Sequence, residues 1–146
     1  MNVIEIRDSQ NGALTVSLSG ILSQLPPHSD NLHWAILSLE AIGNPSGNKS
    51  LPEFESQIAN SPQGLLVTWN ELCELSEKFE EVIDVVIVGC ESRGDIQRRQ
   101  NDNELYSSCD VAIEAFDSSY WRVYSKHQDI IDRIEKSFKD TEIKTG

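Results

Sequence analysis

Apolar residues recur along the chain in two rhythms, every second position and every third or fourth, and the two predict different elements. Val3-Ile4-Glu5-Ile6 and Leu14-Thr15-Val16-Ser17-Leu18 are short strand patterns. Asn11-Gly12 between them is a hairpin signal, because both residues tolerate the positive φ of a tight turn. Pro26-Pro27 then interrupts regular structure. The segment 32-LHWAILSLEAI-42 fits either element: its Ala, Leu and Glu favour helix, while positions 33, 35, 37, 39 and 41 form one strand face. Strand is the better fit.

After a loop over 43–50, Ser50-Leu51-Pro52-Glu53 supplies an N-cap, an early proline and a glutamate three residues past the cap, which predicts a short helix over 51–60. Pro62-Gln63-Gly64 ends it, and Leu65-Leu66-Val67 is a brief apolar run. Thr68-Trp69-Asn70-Glu71 repeats the capping box ahead of Leu72, Leu75 and Phe79, the inward stripe of a second helix. Val82 to Val88 is nearly continuous in β-branched residues, the pattern of a strand inside a sheet and covered on both faces.

Residues 92–108 are polar and predict a functional or mobile loop. Two strand patterns around 117-DSS-119 make a second hairpin, and Ser125 is placed to cap a last helix whose stripe is Ile130, Ile131, Ile134 and Phe138. The tail 139–146 is expected to fray. The order amounts to an α+β domain spanning 1–146, an antiparallel or mixed sheet with about three helices packed on it.

Charge changes the picture. The 146 residues carry a formal net charge of −12, which repels nucleic acid and anionic membrane and favours a basic partner. The excess is concentrated: residues 51–91 hold nine acidic side chains and one basic one, Lys78. No run approaches the roughly 18 apolar residues of a membrane span, and the first residues do not form a leader pattern, so a cytoplasmic location is expected. Cys73, Cys90 and Cys109 are odd in number and widely spaced, as expected of free, buried thiols.

Candidate chemistry is sparse. His28, His33 and His127 stand far apart with no ligand spacing, so no metal or cofactor is expected. The chain has neither a GxSxG nor an SxxK motif, nor a glycine-rich phosphate loop. Cys90 is the one nucleophile to weigh, and neighbouring Glu91 works against its thiolate. Arg93, Arg98 and Arg99 form a basic island in the polar segment.

The second predicted helix stands out. At about 100° per residue, Glu74, Glu77 and Glu81 fall together opposite the apolar stripe, with Glu71 and Glu80 flanking them. Surface helices usually intersperse both signs, and like charges at this spacing cost a few tenths of a kcal/mol per pair. Glu71, Glu74, Glu77 and Glu81 are therefore the candidate partner-binding residues, with Trp69 as an aromatic anchor.

In composition and topology the segments 65-LLVTWNELCELSEKFEEVIDVVIVGCE-91 and 121-WRVYSKHQDIIDRIEKSF-138 resemble the small acidic immunity proteins of bacterial toxin–immunity systems. The resemblance implies a non-catalytic protein that neutralises a basic toxin, for example a nuclease, by occluding its site. It carries no motif and transfers no site residue. The alternative expectation is a regulatory or scaffold module that binds through a sheet edge or the 92–108 segment.

Overall fold

A computed structural model describes residues 2–10, 13–25, 29, 31–43 and 51–145. The Asn11-Gly12 turn, the Pro26-Pro27 break, His28, the loop after Gly43 and the Ser50 cap lie outside the described residues. In chain order the strands are β1 (Asn2–Ile6), β2 (Ser9–Gln10), β3 (Ala13–Leu14), β4 (His33–Gly43), β5 (Leu65–Val67), β6 (Phe79–Cys90), β7 (Val111–Phe116), β8 (Tyr120–Ser125) and β9 (Thr141–Thr145). The helices are α1 (Leu18–Leu22), α2 (Leu51–Ala59), α3 (Trp69–Lys78), α4 (Asp102–Ser108) and α5 (Gln128–Ser137). The α+β class holds. The described residues add α1 and α4 to the three helices expected.

Seven strands form one sheet in the order β5-β4-β6-β7-β8-β1-β9, and every neighbouring pair in it is antiparallel. Strand alternation divides the side chains between two faces. On the first face Ile4, Ile6, Trp34, Ile36, Val85, Ile87, Ile113, Trp121 and Val123 pack against buried residues of α1, α2, α3 and α5. On the second, Val3, Ala35, Val88, Ala112 and Tyr124 are covered by Ile96 and by Leu105 and Tyr106 of α4. Gly89 lies directly across from Trp34, whose ring occupies the space a Cβ would need, with ring atoms at 2.9 Å.

Several expectations change. The first hairpin shrinks to two residues a side, β2 with β3, while β1 pairs with β8 and β9 at the far end of the chain. Leu18 opens a helix rather than closing a strand, because the Ser17 side chain caps it by accepting from the Gly20 amide. Ser125 ends β8, and its hydroxyl accepts from the His127 amide, so α5 starts only at Gln128. The tail expected to fray is β9, hydrogen-bonded to β1, and the Asp8 carboxylate fastens its approach by accepting the Lys139 and Asp140 amides.

The polar 92–108 segment is not a free loop. It contains a 3₁₀ turn at Arg93–Asp95 and α4, and it buries Ile96, Leu105 and Tyr106 on the second face. The β4–β6 register slips between Ile36 and Ser38, a bulge at Leu37. The Arg98 guanidinium donates to the Leu37 carbonyl there, and to the Ile58 and Ser61 carbonyls at the end of α2. One cation therefore ties the bulge to a helix C-terminus, where it also meets the favourable end of the helix dipole. The basic island supplies a structural clamp.

Candidate functional site

Thr68 accepts from the Glu71 amide, and the Glu71 carboxylate accepts from the Thr68 amide at 2.9 Å, the reciprocal capping box that starts α3. The helix then ends at Lys78, and the next residue, Phe79, already belongs to β6. Glu81 is therefore on a strand, and the helical stripe expected to join it to Glu74 and Glu77 is shorter than the sequence implies. Phe79 fits the apolar helical spacing of Leu72 and Leu75, but its backbone pairs with Gly43 of β4. Tertiary pairing overrides the local period.

The acids remain neighbours along the chain on either side of this abrupt junction. Glu74 and Glu77 are exposed just before the helix–strand joint, and Glu80 and Glu81 are exposed just after it. Gly43 permits this geometry: at φ +147° it approaches so closely that a Cβ would sit 2.5 Å from the Lys78 carbonyl oxygen. Across the ladder, Glu81 stands opposite Ile42, and Glu40 stands opposite Asp84. Two carboxylates directly opposed on neighbouring strands repel, an arrangement that costs stability. The Asp117 amide donates to Asp84 at 2.9 Å, which brings a further acidic residue, at the β7–β8 turn, to this shoulder.

No ion pair within 4 Å joins Glu40, Glu74, Glu77, Glu80, Glu81 or Asp84 to a described residue. Ile42 is the exposed apolar residue among them, 48% accessible. Glu77 lies in the last turn of α3, where the helix dipole disfavours a negative charge. The Cys73 thiol registers the field: burial pushes its pKa up, and the charge of Glu77 pushes it further.

The sequence-predicted residues divide into three groups. Glu74, Glu77 and Glu81 are exposed on the shoulder. Glu71 is exposed too, but its carboxylate is engaged in the cap. Trp69 is half-buried, its ring 5.2 Å from Trp34 at a tilted angle, so it is part of the packing under α3. Trp69 and Glu71 line a separate groove of about 390 Å³ with His33, Thr68 and Arg93. Glu40, Asp84 and Asp117 were missed. A strand-face count of 32–42 places Glu40 with Trp34 and Ile36; the bulge at Leu37 moves it to the other face, and nothing local identifies its partner.

A second carboxylate group was also missed, and its chemistry is opposite. Glu5, Arg122 and Glu114 stand side by side across β1, β8 and β7 on the second face. Glu5 and Glu114 are 5% and 3% exposed. Arg122 bonds Glu5 at 3.2 Å and lies 3.9 Å from Glu114, Arg7 reaches Glu5 at 2.7 Å, and the Tyr106 hydroxyl donates to Glu114 at 2.7 Å. Burial and the Glu114 charge push the Tyr106 pKa up, so the phenol keeps the proton it donates. Arg7 stacks on Tyr120 and Arg122 on Phe116, which closes the group with cation–π contacts.

Nucleophilic chemistry gains no support from the geometry. Cys90 is 1% exposed, and burial first, then Asp110 and Asp95, push its pKa up to about 11, the reverse of an activated thiolate. His127 lines a cavity of about 190 Å³ with Asp110 and Glu91, and Cys90 is not in that lining. Among the described residues no His, Cys, Asp and Glu cluster has metal-binding geometry, and no helix is long and apolar enough to cross a membrane. Compared with known protein families, curated proteins and solved structures, the chain finds no match.

Proposed function

We propose that the chain is a non-catalytic acidic binding protein whose shoulder at the α3–β6 junction neutralises a basic protein partner. In its most concrete form it is an immunity protein that occludes the site of a basic bacterial toxin such as a nuclease. The observation that carries this reading is the run of exposed carboxylates without ion-pair partners on either side of the α3–β6 joint, Glu74 and Glu77 before it and Glu80 and Glu81 after it, with exposed Glu40 on the neighbouring strand. A nuclease must hold phosphate in a basic cleft, and closely spaced carboxylates present the same charge to that cleft. Exposed Ile42 adds an apolar contact within the acidic surface, in keeping with the mixed character of interface centres.

The competing scaffold reading has less to stand on. The 92–108 segment is fastened by Arg98 and by Gln63, whose side-chain amide donates to the Arg93 and Ile96 carbonyls. The edge strand β9 carries the Glu142–Lys144 pair, and charges on an edge discourage strand addition. The test is co-expression and calorimetry with the product of the neighbouring reading frame, where the cognate toxin of an immunity protein is encoded. Binding that Glu74→Gln/Glu77→Gln/Glu81→Gln weakens by at least tenfold, a loss of about 1.4 kcal/mol, supports the reading. Binding unchanged by that triple variant, or lost on Gln63→Ala instead, contradicts it.

A further inference from the structure

Beside the shoulder is a cleft of about 400 Å³, between the start of α1, the end of α3, the first residues of β6 and the β7–β8 turn. Its floor is apolar and buried, with Val16, Val82 and Trp121 each no more than 9% exposed, and half-buried Phe79 forms a wall. Glu80 and Glu81 stand at its rim, both exposed and neither paired with a described cation. Ser17, Ser76 and Ser118 add polar lining, and no Lys or Arg lines it among the described residues. The Ser76 hydroxyl already donates to the Cys73 carbonyl at 2.7 Å, and what it has left to offer an occupant is its acceptor capacity.

A ligand for this cleft must satisfy two demands at once. It must cover apolar and aromatic surface, and it must bring hydrogen-bond donors and positive charge to the two carboxylates. An anion is repelled, and a neutral apolar group leaves the carboxylates unused. An arginine side chain meets both demands: its methylene stem covers the floor, its planar guanidinium stacks on an aromatic ring, and it carries five donors and no acceptor. A lysine ammonium is more strongly hydrated and does not stack in the same way, so it loses more on leaving water for this floor.

We propose that this cleft is a receptor for one arginine side chain of the basic partner, with Glu80 at the rim holding the guanidinium over Phe79 and Val82 and Glu81 beside it adding its charge. The proposal rests on the reading of the shoulder as the surface for a basic partner, and it adds the residue type recognised and the place where that residue seats. The shoulder then supplies steering by charge, and the cleft supplies an anchor of the kind that dominates binding energy in interfaces.

The test uses blocked amino acids, so it does not depend on the partner. N-acetyl-arginine amide is titrated into the full chain while backbone amide resonances are followed, with N-acetyl-citrulline amide as the neutral isostere and N-acetyl-lysine amide as the ammonium control. The expected result is saturable shifts at 15–18, 79–82 and 118–121, with a Kd on the order of millimolar, as befits a single anchor without its protein. Citrulline and lysine should bind roughly tenfold more weakly. Glu80→Gln/Glu81→Gln should weaken the arginine probe by roughly tenfold, and Phe79→Ala by a smaller factor, in chains shown to be folded by their spectra. Glu74→Gln/Glu77→Gln, outside the lining, should leave it unchanged.

Equal response to citrulline or lysine, shifts confined to the α3 surface, or no saturation by tens of millimolar would each overturn the proposal. Failure of the probe with an intact shoulder effect on the partner removes the cleft alone. A working probe with no basic partner removes the shoulder reading alone.

Discussion

Adjacent cross-strand rows on the second face of the sheet use carboxylates in opposite ways. In one row Glu114, Arg122 and Glu5 alternate in sign, the two carboxylates are nearly withdrawn from solvent, and Arg7 and Tyr106 complete the group. In the next, Glu40 faces Asp84 with no cation between them, close to exposed Glu80 and Glu81. Burial explains the first arrangement: a carboxylate taken from water must find its charge and hydrogen bonds inside the protein. The exposure of Glu40 and the Asp117 amide on half-buried Asp84 make the second tolerable, since water and salt screen the repulsion, but they do not make it favourable. The first row is arranged for the fold. The second costs the fold a little, which is why it is read as arranged for a partner.

The first row is most sensitive at Arg122. Replacing it by Met leaves the buried carboxylates of Glu5 and Glu114 short of their shared cation, and removing one partner of such a group costs roughly 3–5 kcal/mol. Denaturant unfolding should show a loss of that size, and a change below about 1 kcal/mol would mean the row is not coupled as its distances imply. Arg98→Ala comes next. It removes the donors to the Leu37, Ile58 and Ser61 carbonyls, and the expected loss is roughly 2 kcal/mol, read by the same unfolding curves. A midpoint within error of wild type would remove the clamp from the account.

A pH scan gives a smaller, graded effect. The Cys90 thiol has its pKa raised from 9.0 to about 11 in the folded chain, chiefly by burial, and Cys109 is also raised. Folding therefore holds the protonated form more tightly than the unfolded chain does. The contribution is fully present below pH 9 and is lost as pH rises from 9 toward 11. Thermal midpoints should decline over that window, and Cys90→Ala should flatten part of the decline. In native protein near pH 8, half-exposed Cys73 should react first with a thiol reagent, and all three cysteines should react in denaturant.

The smallest expected effect is the most telling for the shoulder. Glu40→Gln should leave stability unchanged or raise it by a few tenths of a kcal/mol, because it relieves the opposed pair with Asp84. Glu74→Gln/Glu77→Gln/Glu81→Gln should likewise be neutral or slightly stabilising. A clear loss of stability in either variant would show that these carboxylates serve the fold after all.

What could be read from the chain follows the range of the interactions. The β-branched run of β6, the Thr68–Glu71 box and the hairpin of β7 with β8 depend on neighbours within a few residues, and all three stand where the sequence puts them. The strand choice for 32–42 is likewise met by β4. By contrast, β9 exists because β1 offers it an edge from the other end of the chain, and 141-TEIKT-145 alone carries only a weak alternation. Leu14 to Leu18 alternate like a strand, yet the Ser17 cap redirects them. The apolar period continued by Phe79 places Glu81 on a helix face, and only the pairing of Phe79 with Gly43 and of Glu81 with Ile42 puts it on a strand. The Glu5–Arg122 contact spans 117 residues, which no local rule reaches.

If the shoulder carboxylates act on a basic partner as proposed, the association rate with the product of the neighbouring reading frame, followed by stopped flow from low to high ionic strength, must register their charge. Steering by exposed charge is screened over a Debye length of about 8 Å at physiological salt, so the wild-type rate should fall at least tenfold across the range. The Glu74→Gln/Glu77→Gln/Glu81→Gln chain should start lower and vary less. Rates that are flat with salt, or equal in the two chains, would contradict the account.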